Sequence, residues 1–240
     1  MDRARTELLV VTLSRLLDGA RTIAVGASSP IPGAAALLTR ARSGGATRVL
    51  MLGSIKHNSF TDGGRELFDC AAQGRIDAFF LGGGQIDGAA NINLVGLGDY
   101  PSLTHRFPGS FGSAYLYFLI PRVILFREEH SPRVLVPKVD FISAPGTSAP
   151  RIYRRGGPVA LVTGRCVFEF SAGRFRLAST HPGEDAASVR AQTGFDYDVA
   201  GDVPQTPGPD EAERALLAGR VRDEIAETYP RFAAAWAAAA

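Results

Sequence analysis

The first 81 residues alternate short apolar runs with helix-like stretches, and that rhythm restricts the fold more than any other feature of the chain. Thr22-Ile23-Ala24-Val25-Gly26, Arg48 to Leu52 and Ala78-Phe79-Phe80-Leu81 read as short buried strands. Between the first two lies an Ala- and Leu-rich helix bracketed by Pro32 and Gly44-Gly45. Between the second and third a helix runs from Asp62 or Gly63 to Gln73, closed by Gly74. Strands joined through helices must lie parallel, with the helices covering the sheet. Ligands of such sheets bind beyond the carboxyl ends of the strands. The loops after Gly26, Leu52 and Leu81 are therefore the places where a site is expected.

Ahead of the first strand, Leu9, Leu13, Leu16 and Leu17 fall on one face of an amphipathic helix that Gly19 ends. No small-residue cleavage site follows the basic start, so the segment reads as part of a cytoplasmic protein and not as a signal peptide. After Leu81 the pattern turns to β structure. Strands are expected at Arg122 to Phe126, Val139 to Ser143, Val159 to Val162, Cys166 to Phe170 and Phe175 to Ser179, with Ser171-Ala172-Gly173 as a hairpin connection. Helices are expected from Glu184 to Gln192 and from Pro209 to Thr228. The fold class is thus α/β: a mostly parallel sheet flanked by helices, with additional antiparallel strands in the C-terminal half. The loop 201–209 is too short to separate domains. Residues 1–240 read as one domain, with 200–240 as a helical extension whose Ala-rich end, Phe232 to Ala240, is expected to fray.

Composition excludes several classes. Hydrophobic residues make up 45% and charged residues 21%, which rules out a disordered or collagen-like chain. No apolar run approaches the ~20 residues that span a bilayer. Cys70 and Cys166 are too few for a disulfide scaffold and lie in no metal-binding spacing, so inert thiols in a reducing compartment are expected. The net charge of +2 hides an asymmetry. Residues 106–176 carry 11 basic and 4 acidic side chains, whereas 177–240 carry 5 basic and 11 acidic. A basic middle suits an anionic ligand such as a nucleotide phosphate, or it is a solvated face paired with the acidic C-terminal part. Aromatic and basic residues are not interleaved as in a single-strand nucleic-acid binder, so no nucleic-acid partner is expected.

The densest chemical signal is Gly82-Gly83-Gly84-Gln85-Ile86-Asp87-Gly88-Ala89-Ala90-Asn91-Ile92-Asn93. Glycines after a strand let a ligand approach the backbone, and Gln85, Asp87, Asn91 and Asn93 supply donors and acceptors. The competing reading is a turn whose Asn and Asp side chains satisfy its own backbone. Because no helix follows directly, the segment is not a dinucleotide fingerprint. A second signal, Phe107-Pro108-Gly109-Ser110-Phe111-Gly112-Ser113, can form a nest of amides or a plain turn. In the third, His181-Pro182-Gly183, the histidine is either a base or a packed residue at a strand end. His57, His105 and His130 share no metal-ligand spacing, and no metal is expected.

In order and spacing these motifs resemble the β subunit of the class I coenzyme A transferases, the glutaconate and 3-oxoacid type. That family's Gly-Ala-x-Gln-Val-Asp-x-x-Gly-Asn-x-Asn is matched by Gly82 to Asn93. Its Gly-rich stretch is matched by Pro108 to Gly112, its His-Pro-Gly by His181 to Gly183, and its Thr-Gly-Phe by Thr193-Gly194-Phe195. An earlier glycine-to-proline loop is matched by Gly26 to Pro32. The resemblance covers roughly residues 5–220 and implies a CoA-transferase-like fold of the NagB/RpiA type. It implies an obligate α2β2 heteromer with an α subunit, and coenzyme A present as the substrate thioester. Carried over by position, Gly83, Gly84 and Gln85 line the thioester site, Asn91 and Asn93 brace it, and Gly109, Ser110 and Gly112 offer donors.

One departure bears on the activity. The family's nucleophilic glutamate stands in a turn at the end of the second strand. Here that turn reads Leu50-Met51-Leu52-Gly53-Ser54-Ile55-Lys56, and the nearest following acids are Asp62 and Glu66. Without a carboxylate there, a mixed anhydride cannot form on this turn. The steroid-ring-opening hydrolases of the same family also lack this residue and carry their glutamate on the α subunit. The resemblance therefore leaves open CoA transfer, CoA-dependent C–C hydrolysis and a non-catalytic scaffold subunit. The basic segment and the Gly-rich loop leave open a sugar-phosphate- or nucleotide-binding protein.

Overall fold

The computed structural model describes residues 2–239 and divides the chain into two compact units. One holds the residues through Phe80 and those from Pro207 onward; the other holds Leu81–Thr206.

The first unit opens with α1 (Arg3–Arg15), capped by the Asp2 side chain, which accepts from Arg5 N at 3.1 Å. Residues Leu8 through Ser14 are all buried, so α1 is covered around most of its girth rather than on the one face its leucines suggested. β1 (Thr22–Val25), α2 (Pro30–Arg42), β2 (Arg48–Met51), α3 (Gly63–Ala72) and β3 (Ala78–Leu81) follow in the expected order. β1 pairs parallel with β2, from Thr22↔Arg48 to Val25↔Met51, and with β3 at Ile23↔Ala78 and Ala24↔Phe79. The strands read as unbroken apolar runs because both faces of a parallel sheet are covered. α1 packs on α2, where Ser14 Oγ and Thr39 Oγ1 share a buried hydrogen bond of 2.9 Å.

The second unit contains two small ladders, β4 (Gln85–Ile86) with β5 (Ile92–Asn93) and β6 (Gly96–Leu97) with β7 (His105–Arg106). Then come α4 (Ser113–Leu119), β8 (Arg122–Arg127), β9 (Pro158–Thr163), β10 (Cys166–Ser171), β11 (Arg174–Thr180), α5 (Ala186–Ala191) and β12 (Asp198–Val199). β8 and β9 are parallel, β9-β10-β11 antiparallel, and β11-β12 parallel. The hairpin between β10 and β11 turns on Ala172 and Gly173, both at positive φ. Phe168, Phe175, Phe195 and Tyr197 pack together beside it, with Phe168–Tyr197 centroids 4.8 Å apart. Val139 to Ser143 is not a strand. Its amides donate to side chains and to an isolated bridge: Val139 N to Asp87, Asp140 N to Gln85, and Ser143 N to the Ile92 carbonyl.

From Pro207 the chain returns to the first unit as α6 (Glu211–Leu216), a π-helical turn over Leu217–Val221, α7 (Arg222–Thr228) and α8 (Pro230–Ala238). Arg15 anchors the return, donating to the Pro207 and Gly208 carbonyls and meeting Glu213 at 2.6 Å. Gly33 on α2 admits Ile225 of α7: a β-carbon there would lie 3.0 Å from Ile225 Cδ1. The expected fraying at Phe232 to Ala240 does not hold for the described residues. Pro230 starts a helix whose Ala233 and Trp236 are buried. Ala240 lies outside the described residues.

Candidate functional site

The loop after β3 is built around Asp87. Its carboxylate accepts from Ala89 N at 3.0 Å, Asn91 N at 3.1 Å, Asn91 Nδ2 at 3.1 Å and Val139 N at 3.4 Å. Asn91 Oδ1 in turn accepts from Gly146 N at 3.1 Å. Asn93 Nδ2 donates to Gln85 Oε1 at 2.8 Å and to the Gly96 carbonyl at 2.7 Å, while its Oδ1 accepts from Val95 N and Gly96 N. Gln85 Oε1 also accepts from Asp140 N at 2.9 Å. Gln85, Asp87 and Asn93 are buried, so each of these bonds replaces water that the fold removed. The structure thus brings Gln85 and Asn93 into one hydrogen-bonded cluster and Asp87 and Asn91 into another, both within the β4–β5 hairpin.

The glycines ahead of these clusters have two neighbours that sequence did not reveal. Gly84 donates its amide to the Asn93 carbonyl at 2.9 Å, and its open side is covered by the Phe107 ring. Gly83 is buried, with Ile92 Cγ2 2.7 Å from where a β-carbon would stand. The amide of Gly84 is therefore engaged within the chain and is not the free donor expected from the glycine run. Phe107 leads directly into the turn Pro108 to Gly112. There Gly109, Phe111 and Gly112 all have positive φ, Ser113 N donates to the Ser110 carbonyl at 2.7 Å, and Gly112 caps α4. Gly109 and Gly112 are exposed and Ser110 half-exposed, so this turn is the more accessible part of the predicted set.

The histidine motif is a packed one. His181 lies at the end of β11, buried, with Nδ1 2.9 Å from Thr206 Oγ1 and Nε2 3.0 Å from the Thr163 carbonyl. Thr193 holds His130 Nε2 at 2.9 Å, and Thr163 holds its Nδ1 at 2.8 Å. Burial, helped by the Arg165 charge, pushes His130 down to about 4, and burial pushes the neighbouring Cys166 thiol up to about 12. Both groups are neutral near pH 7. Gly194 is required because a β-carbon would strike the Leu135 carbonyl. Cys70 and Cys166 are both free thiols. Among the described residues, no three His, Cys, Asp or Glu side chains converge as a metal ion requires. Among those residues, too, no helix is long and apolar enough to cross a membrane.

In the first unit, the turn after β2 lacks a carboxylate of its own but receives one. Glu227 of α7 accepts from Ser54 Oγ at 2.7 Å and Ile55 N at 2.7 Å, and Thr228 Oγ1 adds a third bond. Burial raises the Glu227 carboxyl, but the bonds from Ser54, Ile55 and Thr228 outweigh it and hold the group below the usual carboxylate range. Ser54 Oγ also accepts from His57 N at 2.9 Å. Ser54 and Glu227 are 173 residues apart, and no local pattern announces the pairing.

Residues 18–191 match the sequence profile of a family described as coenzyme A transferase. The B component of 3-oxoadipate CoA-transferase from Pseudomonas knackmussii is 34% identical over 152 residues, covering 60% of this chain and 58% of that protein. The B component of glutaconate CoA-transferase from Acidaminococcus fermentans is 32% identical over 155 residues, covering 61% and 56%. The matched part of the chain thus spans little more than half the length of either relative. Among solved structures, the decarboxylase AibA/AibB superposes with a TM-score of 0.78 at 27% identity, covering 99% of this chain and 100% of the other.

Proposed function

This chain belongs to the coenzyme A transferase family, and from that premise we propose that it is the β subunit of a heteromeric enzyme acting on an acyl-CoA thioester. The observation that carries the reading is the pair of side-chain bonds Asn93–Gln85 and Asn91–Asp87 in the segment 85–93, which falls inside the matched residues. In this reading Gly83, Gly84 and Gln85 form the wall of the thioester site and Asn91 and Asn93 keep it fixed. Gly109, Ser110 and Gly112 present amides to the thioester carbonyl or to the CoA. Pre-oriented donors of that kind stabilise the negative charge a carbonyl oxygen gains as a nucleophile adds. The partner is an α subunit in an α2β2 assembly, CoA enters as substrate, and the free cysteines suit the reducing cytoplasm.

Which reaction follows depends on the turn after β2. Transfer through a mixed anhydride needs a carboxylate free to attack. Gly53-Ser54-Ile55 has none, and the carboxylate of Glu227 is held by three donors. This favours a CoA-dependent reaction whose acid–base group comes from the α subunit. C–C hydrolysis of the steroid-ring-opening type is one such reaction, and decarboxylation, the activity in the name of AibA/AibB, is another. The transferase names of the 3-oxoadipate and glutaconate relatives favour CoA transfer as the second reading.

Co-expression with an α-type subunit of the family tests both levels. The complex is expected to bind acyl-CoA in a calorimeter, and Gly112→Asp is expected to abolish binding while the complex still assembles. A complex that binds no CoA thioester overturns the proposal. Exchange of labelled CoA between an acyl-CoA and a free acid marks transfer; loss of CO2 or a ring-opened acid without exchange marks the first reading.

A further inference from the structure

The outer edge of β2 bears a cleft whose far wall is the segment that follows the Gly53–Ile55 turn. β2 is the last strand on its side of the β3-β1-β2 sheet. Beside it an open cleft of about 410 Å3 is lined by residues 45–50, residues 56–59 and Arg40. Its charged lining residues are Arg40, Arg48 and Lys56, and no carboxylate is among them. Arg48 Nη2 donates to Ser59 Oγ at 2.6 Å, and among the described residues neither Arg48 nor Lys56 has a carboxylate partner. Behind the wall, Glu224 lies 3.7 Å from Arg40 and 3.4 Å from His57 Nε2. Glu224 also meets Arg220 of the preceding turn at 2.8 Å, so it is shared among Arg40, His57 and Arg220, and none of its recorded contacts is with Arg48 or Lys56.

The cleft is also built rather than loose. Met51 N donates to the His57 carbonyl at 2.8 Å, which ties the far wall to β2. Ser54 Oγ accepts from His57 N, and Glu227 holds Ser54 and Ile55 from α7. Thr47, Asn58 and Ser59 add neutral polar groups to the lining. Like charges gathered around one cavity repel unless an anion joins them. Two planar guanidinium forks and a mobile ammonium are the donor set that suits phosphate oxygens. We propose that this cleft binds a phosphate or diphosphate group, with Arg48 and Lys56 as direct ligands and Arg40 as the third cation. None of these residues belongs to residues 82–93 or 108–112, so the site stands whether or not the thioester is bound there.

Calorimetric titration with inorganic pyrophosphate at low ionic strength tests the site, using the intact chain in the assembly in which it purifies. Saturable binding is expected, and Arg48→Ala and Lys56→Ala are each expected to weaken it by about tenfold, the size of one lost hydrogen bond to a charged group. Both side chains are exposed, so the variants keep the fold, which circular dichroism verifies. Arg174→Ala, an exposed arginine elsewhere, is expected to change nothing. Repeating the titration in saturating CoA separates the sources of the phosphate. Displacement identifies the diphosphate of a nucleotide-bearing ligand, joint occupancy identifies a free anion, and either result supports the site. Absence of saturable heat, or an affinity unchanged in both variants, overturns it.

Discussion

A β-carbon on Gly84 would stand 2.8 Å from Cδ2 of Phe107 and closer still to Cε2 and Cζ. The ring cannot yield without leaving the segment that leads into the 108–112 turn. Gly84→Ala is therefore expected to cost roughly 1–3 kcal/mol, the usual size of overpacking. The same substitution in a Phe107→Leu background is expected to cost less, and the double-mutant cycle from denaturant midpoints measures the difference. His130 gives a prediction of a different kind. Its folded value of about 4 lies below the ordinary ~6.5, so the unfolded chain binds the proton more readily. The stabilisation is complete above about pH 6.5 and is lost as pH falls toward 4, on the order of 3 kcal/mol in all. His130→Gln, which keeps a donor and an acceptor for Thr163 and Thr193, is expected to flatten that part of the stability profile. An unchanged slope would show that the histidine is not the group taking up the proton. At this scale the motif residues were readable from the sequence, but their partners were not. Asp87 is four residues from Asn91 and could be guessed as its partner. The Gly84–Phe107 contact joins residues 23 positions apart, and nothing periodic links them.

Elements defined by local chemistry were the most legible. β1, β2 and β3 are four-residue apolar runs punctuated by glycine, and each formed where expected. The β10–β11 turn was legible for the same reason, and it carries a prediction. Ala172 holds φ 52 and Gly173 φ 80, the left-handed pair of a two-residue hairpin. Ala172 is exposed and its methyl group is strained there, so Ala172→Gly is expected to stabilise the chain by about 1 kcal/mol and raise its melting temperature. Val139 to Ser143 misled because β-branched and aromatic residues suit a strand without supplying a partner for it. Its amides found Asp87 and Gln85 instead of a neighbouring strand. α8 misled in the opposite sense. An Ala-rich terminus can fray, but Pro230 pre-sets its first turn and Trp236 gives it something to bury. The return helices depend on Arg15, which meets the buried Glu213 and caps two carbonyls at 207 and 208. Arg42, 3.7 Å from Glu213, offsets only part of that charge if Arg15 is removed. Arg15→Met is thus expected to cost roughly 2–4 kcal/mol, less in a Glu213→Gln background, as read from chemical denaturation.

At the scale of the whole chain, the sequence concealed how its ends are used. A break of nine residues at 201–209 looks too short to divide domains, yet residues from Pro207 onward pack with the first eighty. Pairings such as Arg15 with Glu213 and Ser54 with Glu227 join residues 198 and 173 positions apart, which no window of sequence samples. Large apolar side chains stand exposed on the second unit. Phe111, Tyr153 and Ile152 are 74%, 79% and 53% exposed, and all three lie in the unit that carries the Gly82–Asn93 loop. Single exposed apolar residues are ordinary on a protein surface, so their number alone decides nothing. Their meaning comes from the family, whose relatives here are named as subunits of larger enzymes. If the chain needs an α subunit, then expressed by itself it is expected to self-associate or aggregate on size-exclusion chromatography. Co-expressed with that subunit it is expected to elute as one heteromeric species, with light scattering giving equal numbers of the two chains. A chain that runs alone as a stable monomer, and stays monomeric beside the α subunit, would mean that the exposed residues cover nothing and that the acid–base group absent from the turn after β2 is not supplied from outside.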